Sequence, residues 1–206
     1  MKMALYVQKF LRHLFLLWFR ARNIRLVVEG NAHIPQNRIA LIIAINHQTV
    51  LDPFVAAVAL PRALYPVHFL GARWFLSPIL FFLALIGIVP FFYKLCGVIT
   101  VYRGRGIEKN IAPAVEILKK NGIIALFPEG KRDNTNSTHP FKRGVAVLMR
   151  LSRAPILPLH IAYDKKGVHV TAGPLLYVTT DNEREEDTLE RIHDACAALG
   201  ASRNTF

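Results

Sequence analysis

Short apolar runs rich in β-branched residues recur along this chain, and helical patterns lie between them. The predicted strands are 23–30, 38–45, 65–71, 95–102, 123–127, 154–163 and 168–173, and helices are predicted at 107–122, 142–152 and 185–199. Strands that alternate with helices are typical of an α/β layer fold. The chain has 206 residues without an internal repeat or a long linker. It is therefore predicted to form a single α/β domain with a mixed central sheet flanked by helices.

Two prolines constrain the predicted elements. Pro113 lies inside the helical pattern 107–122 and is tolerated only if the first turn of the helix is there. Pro158 lies inside the strand pattern 154–163, and because proline cannot donate a ladder hydrogen bond it predicts an edge strand or a bulge.

The composition favours a membrane surface over nucleic acid. Hydrophobic residues make up 52% of the chain, the formal net charge is +12, and the mean hydropathy is +0.29. A basic excess suits nucleic acid, an anionic membrane or an acidic substrate. Most aromatic residues lie in apolar runs instead of alternating with Lys and Arg as in a base-stacking groove, so no nucleic-acid partner is predicted. Cys96 and Cys196 form no metal-ligand cluster and are predicted to be free thiols in a reducing compartment.

Two segments are predicted to meet the membrane. Residues 1–22 predict an amphipathic helix whose cations share one stripe, as in helices that lie in the bilayer interface. The alternative is a surface helix packed on the protein's own core. Residues 74–93 are uncharged, and as one helix they would span about 30 Å. Pro78, Gly87 and Pro90 argue against a straight crossing. A short helix over 79–86, followed by a bend and a strand, is an equally good prediction, with the segment either facing the membrane or buried, and whether it crosses the bilayer stays open.

A histidine and an aspartate follow the strand pattern 38–45. In the segment INHQTVLDP, residues 45–53, Asp52 precedes Pro53 and is predicted to cap a helix. A spacing of five on a regular helix separates two side chains by about 140°, but a turn between them could bring the Asp52 carboxylate to the His47 imidazole. That pairing would leave the other ring nitrogen free to take a proton from a substrate hydroxyl. The alternative is a capping aspartate beside an unrelated loop histidine.

Cationic residues follow two other predicted strands. Pro128, Glu129 and Gly130 predict a turn after 123–127, and Lys131 and Arg132 come next. Backbone N–H groups in such a turn, together with adjacent cations, suit a phosphate. A third predicted strand, 95–102, is followed by Arg103 and Arg105, and arginine can bind phosphate bidentately. The alternative is a set of solvated surface turns.

Taken in order, these segments resemble the four motifs of the glycerolipid acyltransferases, the lysophosphatidate acyltransferase family. The matching segments are the HX4D motif His47–Asp52, Arg103 in GVITVYRG, FPEGKR at 127–132 and ILPLHI at 156–161, with FKRG at 141–144 resembling a further conserved element. The resemblance covers roughly residues 24–178. Lys131 and Asp133 depart from the usual FPEGTRS sequence of the third motif.

The resemblance implies a direct acyl transfer without an acyl-enzyme. His47 would be the general base and Asp52 its orienting partner, and together they form the predicted catalytic pair. The substrate-binding residues that it implies are Arg103, Glu129, Gly130, Lys131, Arg132 and Pro158. It implies no metal and no cofactor. The donor would be acyl-CoA or acyl-carrier protein, and the acceptor would be a lysophospholipid, by default 1-acyl-glycerol-3-phosphate, which gives phosphatidic acid.

The resemblance also completes the predicted organisation. Residues 1–22 would be a membrane-associating helix, and residues 23–206 would form an acyltransferase domain of the glycerolphosphate acyltransferase-like fold, with 74–93 facing the membrane. The expected location is the cytoplasmic face of a bacterial inner membrane. Two alternatives stay open: an acyltransferase for another lyso-lipid, such as a lyso-aminolipid, and a non-catalytic lipid-binding protein.

Overall fold

The computed structural model describes residues 2–72, 87–102, 104–132, 139–165, 167–179 and 183–201. The described strands are β1 (Arg25–Glu29), β2 (Leu41–Ile45), β3 (Val67–Ala72), β4 (Ile99–Val101), β5 (Ile123–Leu126), β6 (Ile156–Tyr163) and β7 (Gly167–Ala172). The described helices are α1 (Lys2–Ala21), α2 (Asp52–Ala59), α3 (Ile88–Cys96), α4 (Ile107–Leu118), α5 (Gly144–Ser152) and α6 (Glu185–Ala201). Every strand and helix predicted above has a counterpart, except in the segment after residue 73.

The strands form one mixed sheet in the order β1-β7-β6-β2-β5-β3-β4. The β6–β7 pair is antiparallel and the other neighbouring pairs are parallel. Five of the strands, β6, β2, β5, β3 and β4, therefore run in the same direction, and their carboxyl ends meet at one edge of the sheet. Ligands of α/β proteins commonly bind at such an edge.

Helices cover both faces of the sheet. Alternate residues of β2 belong to different cores, because side chains alternate across a strand. Ile43 and Ile45 pack with α1 and α2, whereas Ile42 and Ala44 pack with α4, α5 and α6. β2 is fully buried on both faces. The loop that follows it is therefore attached to a fully buried strand in the middle of the sheet.

The expectation for Pro113 is wrong, and that for Pro158 holds only in part. Pro113 lies inside α4, which begins six residues earlier at Ile107. The helix continues past the missing hydrogen bond because its face bearing Ala114, Val115 and Leu118 is buried in the core. The edge alternative for Pro158 is wrong, since β6 lies between β7 and β2. The bulge alternative fits the pairing: the ladder with β7 begins at Leu159, opposite Ala172, and the next bridge, from Ile156 to Leu176, is displaced by one residue.

The segment after residue 73 differs from its prediction where it is described. The helix predicted over 79–86 lies outside the described residues. After Gly87 the chain forms α3 instead of the predicted strand, with Pro90 in the first turn, where proline is tolerated. Neither α3, α1 nor any other described helix is both long enough and apolar enough to cross a bilayer.

Candidate active site

His47 and Asp52 form a hydrogen-bonded pair at the carboxyl edge of the sheet. The His47 Nδ1 and Asp52 Oδ2 atoms are 2.8 Å apart, which confirms that the intervening turn brings the two side chains together. An ionised carboxylate only accepts hydrogen bonds, so Nδ1 carries the proton and donates it. The opposite ring nitrogen, Nε2, is left as an acceptor. The His47 side chain keeps 19% of its surface exposed, while that of Asp52 is fully buried.

Asp52 is held by donors on both of its oxygens. Oδ2 also accepts the backbone N–H groups of Gln48 at 2.7 Å and Thr49 at 2.8 Å. Oδ1 accepts the hydroxyl groups of Thr49 at 2.8 Å and Tyr163 at 2.6 Å. Burial alone would raise the pKa of Asp52, but the hydrogen bonds from His47, Tyr163 and Thr49 outweigh it and lower the pKa below its usual value. The carboxylate is therefore ionised beside the imidazole.

The predicted helix cap at Asp52 is displaced by one residue. Asp52 is the first residue of α2, Leu51 occupies the cap position, and Pro53 follows within the first turn. The carboxylate points back to the N–H groups of residues 48 and 49 instead of forward into the helix. That reversal turns a capping residue into the partner of His47.

The end of β5 supplies the surface against which His47 packs. The Phe127 ring stacks on the imidazole with centroids 4.0 Å apart and planes 20° apart. β2 and β5 are neighbours, and their ladder ends at Ala44 and Leu126. The first and third of the predicted motifs are thus in direct contact.

A tight cationic turn follows Phe127. The Gly130 N–H donates to the Phe127 carbonyl at 3.0 Å, and Gly130 has a φ of 67°, which favours glycine. The Lys142 chain crosses directly over this glycine: a Cβ atom at Gly130 would lie 2.5 Å from Lys142 Nζ. The Lys142 N–H also donates to the Pro128 carbonyl at 2.8 Å. Lys142 therefore adds a third cation beside Lys131 and Arg132, which are both exposed.

The remaining predicted residues occupy different surroundings. Glu129 is buried. The pKa of the Cys196 thiol is raised to about 12, first because the thiol is buried and second because the negative charge of Glu129 lies nearby. Glu129 thus faces towards α6. Pro158 lies inside β6 opposite Ala44, three residues before His47 in the neighbouring strand. Arg103 lies outside the described residues.

Sequence reasoning gave no role to four residues of this arrangement: Asn46, Phe127 and Lys142, which stand in the quoted segments, and Tyr163, which lies outside them. The Asn46 side chain continues the sheet beyond β2, because its amide donates to the Ile161 carbonyl at 2.9 Å and accepts the Ile161 N–H at 2.7 Å. Tyr163 ends β6 at the same edge as His47. A polar residue at the carboxyl end of a predicted parallel strand was the available signal, and it applied to Tyr163 as well as to His47.

The sequence between β1 and the end of β6 decides the family. Residues 25–162 match the profile of the family described as Acyltransferase. The chain belongs to the acyltransferase family. The match includes the His47–Asp52 pair, the Phe127 turn and Lys142, which the fold brings to one edge.

Curated relatives of this acyltransferase come from bacteria, animals and plants. The 1-acyl-sn-glycerol-3-phosphate acyltransferase alpha of Homo sapiens is 28% identical over 73% of this chain and 52% of the human protein. The 1-acyl-sn-glycerol-3-phosphate acyltransferase of Borreliella burgdorferi is 26% identical over 82% of this chain and 69% of that protein. That of Cocos nucifera is 34% identical over 41% of this chain and 31% of the plant protein. The matched region is thus about half of the human protein and less than a third of the coconut protein.

A solved structure shares the fold. The crystal structure of PlsC, a 1-acyl-sn-glycerophosphate acyltransferase from Thermotoga maritima, aligns with a TM-score of 0.73 over 98% of this chain and 81% of that chain, at 18% identity. This likeness confirms the α/β fold that the motif resemblance implied.

Proposed function

We propose that this protein transfers a fatty acyl group from an acyl thioester to the free hydroxyl of a lysophospholipid, with 1-acyl-glycerol-3-phosphate as the acceptor and phosphatidic acid as the product. The observation that carries the proposal is the His47–Asp52 pair, in which a buried carboxylate fixes Nδ1 as the donor and leaves Nε2 as a base. The family match and the names of the curated relatives support the same reaction.

In the proposed reaction His47 moves one proton. Nε2 takes the proton of the acceptor hydroxyl while the oxygen attacks the thioester carbonyl carbon. The new carbon–oxygen bond forms a tetrahedral oxyanion, whose collapse breaks the carbon–sulfur bond. The imidazolium then returns its proton to the departing thiolate. The products are an ester and a free thiol, so no acyl-enzyme is needed, and Asp52 stabilises the transient positive charge on His47.

The acceptor phosphate is assigned to the cationic turn. The Lys142 side chain lies over Gly130, the exposed Lys131 and Arg132 follow it in the chain, and backbone N–H groups of a turn with adjacent cations suit a phosphate. Arg103 and Glu129 are assigned to the same acceptor, and Pro158 to the acyl side of the site, on the strength of the motif resemblance. In the proposal His47 takes the proton of the central C2 hydroxyl, and the phosphate is on the adjacent C3 carbon of the glycerol.

The membrane contact is assigned to α1 together with the apolar segment 74–93. The docked face of α1 carries Ala4 and Phe19, which are buried. The opposite face, about 200° around the helix at about 100° per residue, carries exposed apolar residues at positions 3, 6, 10, 14 and 17. A helix with one docked face and one exposed apolar face fits both a surface helix and an interfacial anchor. Phe91 and Phe92 of α3 are exposed as well.

Exposed apolar side chains also lie next to the catalytic pair. Val50 is 62% exposed and Phe54 39% exposed, and these residues lie two positions before and after Asp52. Phe54 stacks on Phe15 of α1 with centroids 4.9 Å apart. An acceptor held in a bilayer could therefore offer its hydroxyl to His47 while its acyl chain stays in lipid. We place the protein at the cytoplasmic face of a bacterial inner membrane, where free thiols such as those of Cys96 and Cys196 persist.

The decisive experiment measures acyl transfer by the purified protein in lipid vesicles. The donors are acyl-CoA and acyl-carrier protein. The acceptors are lysophosphatidate, lysophosphatidylethanolamine, a lyso-aminolipid and monoacylglycerol, which lacks the phosphate. We expect phosphatidic acid from lysophosphatidate, and we expect His47→Ala to lower turnover by about 10²- to 10⁴-fold.

A second His–Asp pair provides the control. His169 Nε2 lies 2.8 Å from Asp164 Oδ2. The neighbours of His169 in β7, Val168 and Val170, belong to the core that adjoins His47. Because side chains alternate along a strand, His169 points to the opposite face of the sheet. His169→Ala should leave turnover unchanged. Product from another acceptor alone would reassign the substrate and keep the mechanism. Lipid binding without transfer to any acceptor would contradict an enzymatic function.

A further inference from the structure

Tyr163 reaches the catalytic pair from a distant part of the chain. It is the last residue of β6, and its hydroxyl donates to Asp52 Oδ1 at 2.6 Å across a separation of 111 residues. The same hydroxyl lies 3.0 Å from Thr49 Oγ1. The family match ends at residue 162, one residue before Tyr163.

The two oxygens of Asp52 have different partners. Oδ2 accepts three hydrogen bonds from residues 47–49, including that from His47. Oδ1 accepts from Thr49 and Tyr163. Among the described donors to Asp52, Tyr163 alone comes from outside residues 47–49. It ties the carboxylate to a strand of the sheet, whereas the other donors belong to the same loop as Asp52.

The register of β6 brings Tyr163 to this position. The Asn46 amide makes two hydrogen bonds with the Ile161 backbone, which locks the start of the loop against β6. Tyr163 lies two residues after Ile161, so both side chains project from the same face of the strand. The hydroxyl stays protonated because burial, and then the hydrogen bond to Asp52, raise the pKa of Tyr163.

We infer that Tyr163 is a positioning residue that holds Asp52 ionised and oriented, so that Oδ2 receives the His47 Nδ1 proton and Nε2 is presented to the acceptor hydroxyl. The inference rests on the proposed role of His47 as the base. Hydrogen bonds to an ionised acceptor are the strong class. Because this bond orients the base instead of the substrate, its loss should affect turnover more than substrate binding.

The test is Tyr163→Phe, which removes one oxygen atom and keeps the ring. We expect kcat to fall by about 10- to 100-fold, the loss that a hydrogen bond to a charged group predicts. The KM values for lysophosphatidate and the acyl thioester should stay within about twofold of wild type. In an Asp52→Asn background, the same Tyr163→Phe change should alter kcat by no more than about twofold, because the carboxylate on which it acts is gone.

Tyr65→Phe is the matched control. The Tyr65 hydroxyl is also part-buried and donates to the Ala57 carbonyl of α2, but it does not touch Asp52. Tyr65→Phe is expected to lower the urea midpoint without the loss of kcat. Wild-type kcat in Tyr163→Phe, or an equal loss in the wild-type and Asp52→Asn backgrounds, would overturn the inference.

Two further outcomes keep the inference separate from the proposed function. If Tyr163→Phe fails to fold while Tyr65→Phe folds, the hydroxyl is structural and the inference is overturned. If His47→Ala retains activity, the proposed function itself fails, whatever Tyr163 does. If His47 is essential and Tyr163→Phe is fully active, the inference alone fails.

Discussion

The His47 imidazole lies nearly parallel to the Phe127 ring, with 4.0 Å between their centroids. This contact joins the loop after β2 to the turn after β5, two neighbouring parallel strands. The imidazole is therefore fixed in two directions: Asp52 holds its Nδ1 edge, and Phe127 supports its face. In the proposed reaction, a base that is held in this way needs little reorganisation before it takes a proton.

Phe127→Leu should test the support that the ring gives to His47. Leucine keeps an apolar side chain there but offers no flat surface to the imidazole. An aromatic pair is worth about 0.5 to 1.5 kcal/mol beyond its buried area, so we expect kcat to fall by about 2- to 10-fold. The measurement is steady-state acyl transfer at saturating concentrations of both substrates.

Phe69→Leu is the control for that change. The Phe69 ring stacks on Phe127 at 6.4 Å and extends the same aromatic row away from His47. Its replacement should perturb packing to a similar extent while kcat stays near that of wild type. Equal losses in the two variants would show that general packing, and not the support of His47, sets the rate.

The sequence predicts the strand ends far better than the contacts made there. His47 and the FPEGKR turn were identifiable because polar residues stand directly after apolar strand patterns. The partnership of Asp52 with Tyr163 was not, because it depends on the register between β2 and β6. Pro113 misled, because local propensity disfavours proline in a helix interior but tertiary packing overrides it. Pro158 marked an irregular pairing as predicted, but its strand lies inside the sheet and not at an edge.

Acid should destabilise the protein partly through Glu183. Burial would raise the pKa of this carboxyl, but hydrogen bonds from Thr179 and the Arg191 ion pair outweigh it and lower the pKa from 4.5 to about 2. Because the folded pKa is the lower one, the contribution to stability is present above the unfolded value and is lost as the pH falls from about 4.5 towards 2.

Glu183→Gln should therefore flatten the dependence of the free energy of unfolding on pH in that window. The measurement is urea unfolding at a series of pH values below 5. Glu190→Gln, an exposed change in α6, serves as the control and should leave the slope as in wild type. A wild-type slope in Glu183→Gln would contradict the assignment.

Gln8 should contribute to folding even though α1 is a candidate membrane anchor. Its amide donates to the Val67 and Cys96 carbonyls, each at 2.7 Å, and accepts the Val67 N–H at 2.9 Å. Gln8→Ala leaves these part-buried backbone groups unpaired, which should cost about 1 to 3 kcal/mol of unfolding free energy. Urea unfolding in detergent measures the change, and the exposed Lys9→Ala is the control. Equal stabilities for the two variants would mean that α1 is not docked through Gln8.

The exposed stripe of α1 should bind lipid without contributing to stability. Phe10 is 62% exposed and Leu17 is 59% exposed, on the face opposite Ala4 and Phe19. Burial of one such side chain in lipid is worth about 1.5 to 3 kcal/mol. We therefore expect the Phe10→Ser/Leu17→Ser double variant to bind anionic vesicles at least about 10-fold more weakly in flotation assays.

The double variant separates the two faces of α1, because it should keep the wild-type urea midpoint while it loses vesicle binding. Leu151→Ser is the control: Leu151 is 40% exposed, and its helix, α5, covers the other face of the sheet. It should bind vesicles as wild type does. If the double variant still binds fully, the anchor must lie elsewhere, and the segment 74–93 would be the next to test. If it unfolds instead, the stripe belongs to the fold and not to the membrane contact.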